Sequence, residues 1–464
     1  MTVPVAEFHE SCRTLRSADD ARLSGYYVVT PAVQGLAEFR SARGLAVGLK
    51  GIGKTAAYRY LAEFDTKTPD IRVGIDSNKY SLYLTNKDLK YDACRKQFRH
   101  DIVLEGLRAF TESSQATQGR VSSSLVKAAT KHVKSYLAML GKLGANLQGM
   151  SISILGCGFT LPLASQQPVA IGLRNNKEVA SALDTLRAIC AEGVKIRIVI
   201  DDPENVFSAT NELDVPLVGG LCLAALELAQ LVPNLKVIVL LKTHVYYPVI
   251  SRVDDLRGYP DHMGRLSWDE GRLASVVEDR LRWTQTDWSD IFAGGENAGR
   301  TLIRGMCGKI RNGPRDLLRW LDLILQLPGN IKASDTTVEK TRRKSSLDSL
   351  AELEAAHAET YPKIGAVLRI IFRGSWERKF ALHELRSNIE GLWLRDSEMM
   401  ALTKLPWMQR ESPYTLPELF FRVGALALWA GKHSVLPYED DYDVANFESS
   451  SHLSLVPALG AALR

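Results

Sequence analysis

The eight residues Gly48-Leu49-Lys50-Gly51-Ile52-Gly53-Lys54-Thr55 have the spacing GxxxxGK[ST]. Each residue type has a chemical task in that pattern. Glycines let successive backbone N–H groups turn inward around a phosphate. Lys54 brings a point charge to β- and γ-phosphate oxygens, and the Thr55 hydroxyl suits Mg2+. The helix that follows, through Ala56, adds the positive end of its dipole. The chemistry implied is capture of a nucleoside triphosphate by residues 48 to 56, with Mg2+ held partly by Thr55.

A second group lies at Ile196-Arg-Ile-Val-Ile200-Asp201-Asp202-Pro203-Glu204. A buried strand that ends in a carboxylate can hold Mg2+ through water. Asp201 takes that role. Asp202 is the first choice to orient or activate an attacking water, with Glu204 the alternative. A gap of 146 residues separates Thr55 from Asp201. Guanine recognition would want NKxD, and Asn86-Lys87-Asp88 lacks the spacer and precedes the acidic strand. No LSGGQ segment and no acceptor site for a kinase are present, so ATP is preferred over GTP.

The elements needed to position these groups can be read from apolar patterning. Leu45–Leu49 forms a short strand before the glycines, and a helix runs from Lys54 to Phe64. Ile71–Ile75, Lys195–Ile200 and Lys236–Leu241 read as further strands, with helices at 178–191 and 221–231 and a strand pair within 150–163. Strand and helix alternate, which predicts an α/β fold with a parallel sheet covered by helices on both faces. After Trp268 no strand is expected. Residues 1–25 read as a polar lead-in and 26–267 as the P-loop core, with a basic helical insertion at 88–145. Residues 268–330 read as three lid helices, 331–350 as a polar linker around Lys340-Thr-Arg-Arg-Lys344, and 351–464 as a smaller, mostly helical domain.

In the order of these motifs the chain resembles bacterial STAND and KAP-type P-loop ATPases, relatives of AAA+ and origin-recognition ATPases. Further stretches carry the resemblance. Lys236-Val-Ile-Val-Leu-Leu241-Lys242-Thr243-His244 is similar to the sensor strand, with Lys242 or Thr243 in the polar position. Leu266-Ser-Trp268, leading to Arg280-Leu-Arg282, resembles the start of the helical lid. Asn312-Gly313-Pro314-Arg315-Asp316-Leu317 resembles the lid turn, which implies that Arg315 reads a γ-phosphate. The C-terminal part resembles a winged helix. The resemblance implies a Mg-ATP-hydrolysing molecular switch that oligomerises and controls a separate effector, in a family many of whose members act in anti-phage defence. An arginine from a neighbouring subunit would complete such a site, with Arg252, Arg257 and Arg265 as candidates.

Composition narrows the partners. The chain has 464 residues, 58 Lys and Arg against 53 Asp and Glu, and 45% hydrophobic residues. A disordered or wholly polybasic protein is excluded. The six cysteines are never closer than 32 residues, so there is no CxxC cage, and a reducing cytoplasmic setting is expected. The longest apolar run, Leu217–Val232, contains Glu227 and is too short to span a bilayer, so no membrane partner is expected. Segment 88–145 holds 10 basic and 5 acidic residues, with Lys127, Lys131 and Lys134 on one helical face. A nucleic acid is therefore the alternative partner, in a DNA-binding ATPase or loader, and a scaffold that binds nucleotide without turnover is a second alternative. Segment 336–464 is nearly balanced, with 16 basic and 17 acidic residues. Trp376, Trp393, Trp407 and Trp429 are spaced as core or interface residues.

Overall fold

A computed structural model describes residues 3–14, 20–49, 51–65, 69–75, 91–113, 119–146, 151–154, 157–160, 176–203, 215–259, 261–310, 313–328, 332–358, 360–375, 377–430, 433–435, 447 and 452–463. The chain divides into two units. One comprises Pro31–Gly48 and Lys54–Leu266; the other comprises Met1–Thr30, Leu49–Gly53 and Ser267–Arg464.

The chain begins with α1 (Val3–Arg13), which belongs to the second unit. The first unit then runs through α2 (Pro31–Ala37), β1 (Leu45–Gly48), α3 (Lys54–Arg59), β2 (Ile71–Ile75), α4 (Tyr91–Glu112) and α5 (Ser123–Asn146). It continues with β3 (Ser151–Ile154), β4 (Cys157–Thr160), α6 (Asn176–Ala191), β5 (Ile196–Ile200), α7 (Val215–Leu231), β6 (Leu235–Lys242), α8 (Thr243–Arg252) and β7 (Met263–Arg265). Five strands form one sheet in the order β2-β5-β6-β1-β7, every neighbouring pair parallel. β3 and β4 form a separate antiparallel hairpin.

Every residue of β1 and β5 is buried, as is β6 up to its last residue. Strands buried on both faces need continuous apolar runs, which is what Ile196–Ile200 and Leu235–Leu241 supply. The fold is thus α/β, a parallel sheet flanked by helices. α7 is apolar apart from Glu227 and Gln230, and most of it is buried in the core. Its Gly220 lets α4 approach closely: a Cβ there would stand 3.0 Å from the backbone nitrogen of Arg95.

Segment 88–145 is more than an appended insertion. Within it, α4 buries Phe98, Ile102, Leu104, Leu107 and Phe110 in the same core as the sheet strands. α5 keeps a solvated face, with Lys127, Lys131 and Lys134 exposed and Val133 and Tyr136 buried.

At the N-terminal ends of the strands, Arg197 on β5 is fully buried. It donates to an Asp65 carboxylate oxygen at 2.8 Å, to Leu61 O at 3.2 Å and to Ala37 O at 2.8 Å. Lys236, its register partner on β6, is also buried and donates to Ser41 O at 2.6 Å. Burial first, and then the neighbouring Arg197 charge, push the Lys236 ammonium down to about 8.

The second unit contains α1, loop 49–53 and the chain from Ser267 onward. Its helices are α9 (Glu270–Trp283), α10 (Trp288–Ile291), α11 (Gly295–Cys307), α12 (Pro314–Leu325), α13 (Asp335–Ala356), α14 (Ile364–Ile371), α15 (Leu382–Arg395), α16 (Ser397–Leu402), α17 (Leu416–Arg422) and α18 (Pro457–Gly460). Four strands, β8 (Lys379–Phe380), β9 (Leu426–Ala430), β10 (His433–Val435) and β11 (His452–Leu455), form an antiparallel sheet in the order β10-β9-β11-β8.

Four sequence expectations are corrected here. Residues 1–25 are not only a polar lead-in: α1 buries Phe8 and Cys12 against α9 and α12 residues, and His9 hydrogen-bonds Asp322 at 2.8 Å. Residues 331–350 are not a linker. They hold most of α13, a 22-residue helix whose Val338 joins the core around α12 while Leu350 and Leu353 join the C-terminal core. Strands do not end at Trp268, because the C-terminal core is built on the four-stranded sheet. Among the described residues the lid region holds four helices rather than three, the added one being the single turn α10. Trp407 is buried and donates to Pro362 O, and Trp393 packs on the C-terminal core, while Trp376 lies outside the described residues.

Candidate active site

Parallel strands align their C-terminal ends, and ligands of open α/β sheets bind at that edge. In the first unit this edge carries Gly48 at the end of β1, Asp201 just after β5 and Lys242 at the end of β6. The register sets Lys242 directly beside Gly48. Because β6 lies between β1 and β5, the first motif and the acidic motif are two strand spacings apart, about 10 Å.

Lys54 opens α3 and is 6% exposed. Its ammonium donates to Gly48 O at 3.1 Å, so the charge that a phosphate would take up is folded back on the loop's own first carbonyl. Thr55 is half-buried and Ala56 buried on the same first turn. Asp201 is buried, and its backbone N–H donates to Ile75 O at 2.9 Å, which anchors the end of β5 to β2.

Asp202 takes a left-handed backbone, φ 45°, uncommon for a residue with a side chain but tolerated best by Asp and Asn. One of its carboxylate oxygens stands 4.0 Å from the Lys242 ammonium. Thr243 is 1% exposed, and its hydroxyl has no hydrogen-bond partner among the described residues. A buried hydroxyl without a partner costs about 1–3 kcal/mol, and such groups persist where a ligand satisfies them.

In the second unit, Gly51 and Gly53 adopt φ 91° and 100°, a region open to glycine and strained for other residues. Ile52 between them is buried, and its N–H donates to Leu49 O at 3.3 Å. The Trp268 indole N–H donates to Ile52 O at 2.7 Å. Gly313, the residue before α12, lies so close to the loop that a Cβ there would be 2.5 Å from Gly51 O. Pro314 takes the first position of α12, where its missing N–H costs nothing. The Arg315 side chain passes the same glycine, with Cδ 3.8 Å from where a Gly51 Cβ would lie.

Among the sequence-predicted residues, the structure thus groups Gly48, Lys54, Asp202, Lys242 and Thr243 in one unit, and Leu49, Gly51, Ile52, Gly53 and Arg315 in the other. Lys50, Glu204 and Asn312 lie outside the described residues. Arg252 is exposed at the end of α8, and Arg265 is half-buried on β7 beside Val47. What sequence reading missed is the bracing of the loop by Trp268 and Gly313. Both residues stand out by type in the sequence, but no local pattern says that they touch a loop more than 200 residues away.

Oxygen donors of the kind Mg2+ prefers, the Asp201 carboxylate and the Thr55 hydroxyl, are present at the strand edge and first helical turn. Among the described residues no cluster of three or more His, Cys, Asp or Glu could hold a metal by itself. A metal here would share its coordination with phosphate oxygens and water, as Mg2+ commonly does. No described helix is long and apolar enough to cross a membrane.

No protein-family model and no curated protein matches the sequence. Among solved structures, the chain is similar to a Walker-type ATPase of Pyrococcus abyssi, at 13% identity and TM-score 0.44, over 93% of this chain and 94% of that one. It is also similar to the ORC2 protein of Aeropyrum pernix. The ADPNP–ADP complexes of that protein align at 11% identity and TM-score 0.42 over 96% and 97% of the two chains. Its ADP form aligns at 10% identity and TM-score 0.36, over 96% and 95%.

Proposed function

We propose that the chain binds Mg-ATP on loop 48–55 and hydrolyses it slowly, as a switch acting on a separate partner. The observation that carries this reading is the loop itself. Two left-handed glycines flank Ile52, and the next residue is a buried lysine whose ammonium donates to a carbonyl that a phosphate oxygen could replace.

In this reading Lys54 moves from Gly48 O to the β- and γ-phosphate oxygens, and the loop N–H groups bind the β-phosphate. Thr55 and Asp201 would hold Mg2+, which supplies charge neutralisation at the phosphate oxygens. Asp202 orients the attacking water, and its left-handed backbone keeps the carboxylate at the strand edge beside Lys242. The Thr243 hydroxyl finds its partner in that water or in a γ-phosphate oxygen. The γ-phosphorus is attacked in line by water, the bond to the bridging oxygen breaks, and ADP and phosphate leave. Arg315 offers a planar charge to the γ-phosphate and so ties the lid to the nucleotide state.

Segments 26–267, 268–330 and 351–464 would serve as ATPase core, lid and winged-helix-like output module. Oligomerisation would bring an arginine to a neighbour's site, with Arg252, exposed at the end of α8, as the candidate. A role in anti-phage defence, as the family resemblance implies, would couple the nucleotide state to an effector. The exposed lysines of α5 are the surface offered to a nucleic-acid partner, whose binding would weaken steeply with salt.

Phosphate release with purified chain tests the catalytic assignment. Asp202→Ala is expected to keep ATP binding within about threefold while turnover falls by about 100-fold, in the range for loss of a water-orienting group. Unchanged turnover would remove Asp202 from the chemistry.

A further inference from the structure

The loop's geometry depends on a residue outside the glycine motif. We propose that Trp268 is a positioning residue for the phosphate loop, holding the Ile52–Gly53 peptide so that the Gly53 N–H stays turned toward the phosphate side. This rests on the nucleotide reading above and adds to it the residue that sets the loop's orientation.

A trans peptide is planar, with its C=O and N–H pointing in opposite directions. The Trp268 indole N–H donates to Ile52 O at 2.7 Å. The N–H of the same peptide, which belongs to Gly53, therefore points away from Trp268. Gly53 has φ 100°, and neighbouring Gly51 has φ 91°. Glycines have no side chain to choose between peptide orientations, so an unbraced loop of this composition would rotate freely. The brace comes from outside. Trp268 packs on the core formed by α9, α11 and α12, and its ring lies 3.8 Å from the position of a Gly53 Cβ. One side chain is thus anchored in the lid core, touches Gly53 and fixes the adjoining carbonyl. Gly313 supports the preceding peptide from the same unit through its close approach to Gly51 O.

The consequence is a lid that prepares the loop before nucleotide arrives. Binding then costs less ordering, and affinity rises by the hydrogen bond's net worth. A net hydrogen bond of about 1 kcal/mol corresponds to roughly fivefold in Kd.

The test uses the full-length chain and Trp268→Phe, which keeps an aromatic ring and removes the donor. Two readouts are made: equilibrium binding of fluorescent ATP and ADP analogues, and amide hydrogen exchange of nucleotide-free protein. Trp268→Phe is expected to raise Kd about five- to tenfold for both the ATP and ADP analogues. Exchange is expected to speed up in peptides covering 48–55, with that of α9 and α12 unchanged. A purely structural role for Trp268 would instead speed exchange in α9 and α12, and that result overturns the proposal. So does unaltered exchange at 48–55. If wild-type protein binds no nucleotide analogue, the nucleotide reading fails, and the exchange arm still decides whether Trp268 orders the loop.

Discussion

Thr243 shows how much a single side chain can report. Its hydroxyl is buried at the end of the β6 strand without a partner among the described residues, so the folded protein carries its desolvation cost. Thr243→Val has the same shape without the hydroxyl. It is expected to raise stability by about 1 kcal/mol in denaturant unfolding, since an unsatisfied polar group is removed. The same change is expected to lower ATP turnover by about tenfold or more. Higher stability with full turnover would make Thr243 a packing residue. Cysteines are a contrast at this scale. Burial pushes the thiols of Cys12, Cys94, Cys190 and Cys307 up, Cys94 to about 11 and the other three to about 12. Thiols held protonated at neutral pH are poor nucleophiles, so no redox chemistry is assigned to them.

At the scale of elements, α13 makes one core continuous with the next. Ser334 caps its first turn: its backbone N–H donates to Thr337 Oγ1 at 2.8 Å, and Thr337 N donates to Ser334 Oγ at 3.4 Å. Trp320 on α12 donates to Thr341 Oγ1 at 2.8 Å, and Ser346 Oγ donates to Ala458 O at 2.6 Å. Ser334→Ala is expected to cost about 1 kcal/mol, typical for loss of a helix cap, read as a lower denaturation midpoint with an unchanged m value.

These contacts explain why the helix was hard to read from sequence. Its buried face is Thr337, Val338, Thr341, Ser346, Ser349, Leu350 and Leu353, mostly small polar residues, of which Thr341 and Ser346 bond to distant partners. Apolar periodicity is therefore weak, and the exposed Lys340, Arg343 and Lys344 look like a linker. β9 was hidden for a different reason. Leu426-Ala-Leu-Trp-Ala430 has good helix formers, and it is a strand because β11 and β10 pair with it. β5 and β6, with their β-branched and aliphatic runs and parallel burial, were legible from local pattern alone. So were the glycine loop and the acidic turn, because each is a chemical pattern within a few residues. The order of strands, and with it Lys242 beside Gly48, was not, because register is set by long-range packing.

At the scale of the molecule, stability depends on pH through the buried Lys236. Its folded value of about 8 lies below the ordinary 10.5. Below pH 8 the ammonium is charged in both folded and unfolded chains, and the folded state bears the full burial cost. Between about pH 8 and 10.5 the unfolded chain holds the proton more tightly, so this group's contribution to stability rises with pH. Lys236→Met removes the buried charge. It is expected to be more stable than wild type at pH 7, with the difference shrinking as pH approaches 10. Parallel stability curves for the two proteins across that window would mean that Lys236 keeps an ordinary proton affinity.

The central claim is that residues 48 to 55 form a phosphate cradle whose charge comes from Lys54. Titration calorimetry with a slowly hydrolysed ATP analogue and Mg2+, comparing wild type with Lys54→Ala, tests it most directly. The expected result is saturable one-site binding by wild type and an affinity at least about 100-fold weaker in the variant, a loss of about 2.7 kcal/mol. Equal heats and equal affinity in the two proteins, or no binding by wild type, would contradict the claim.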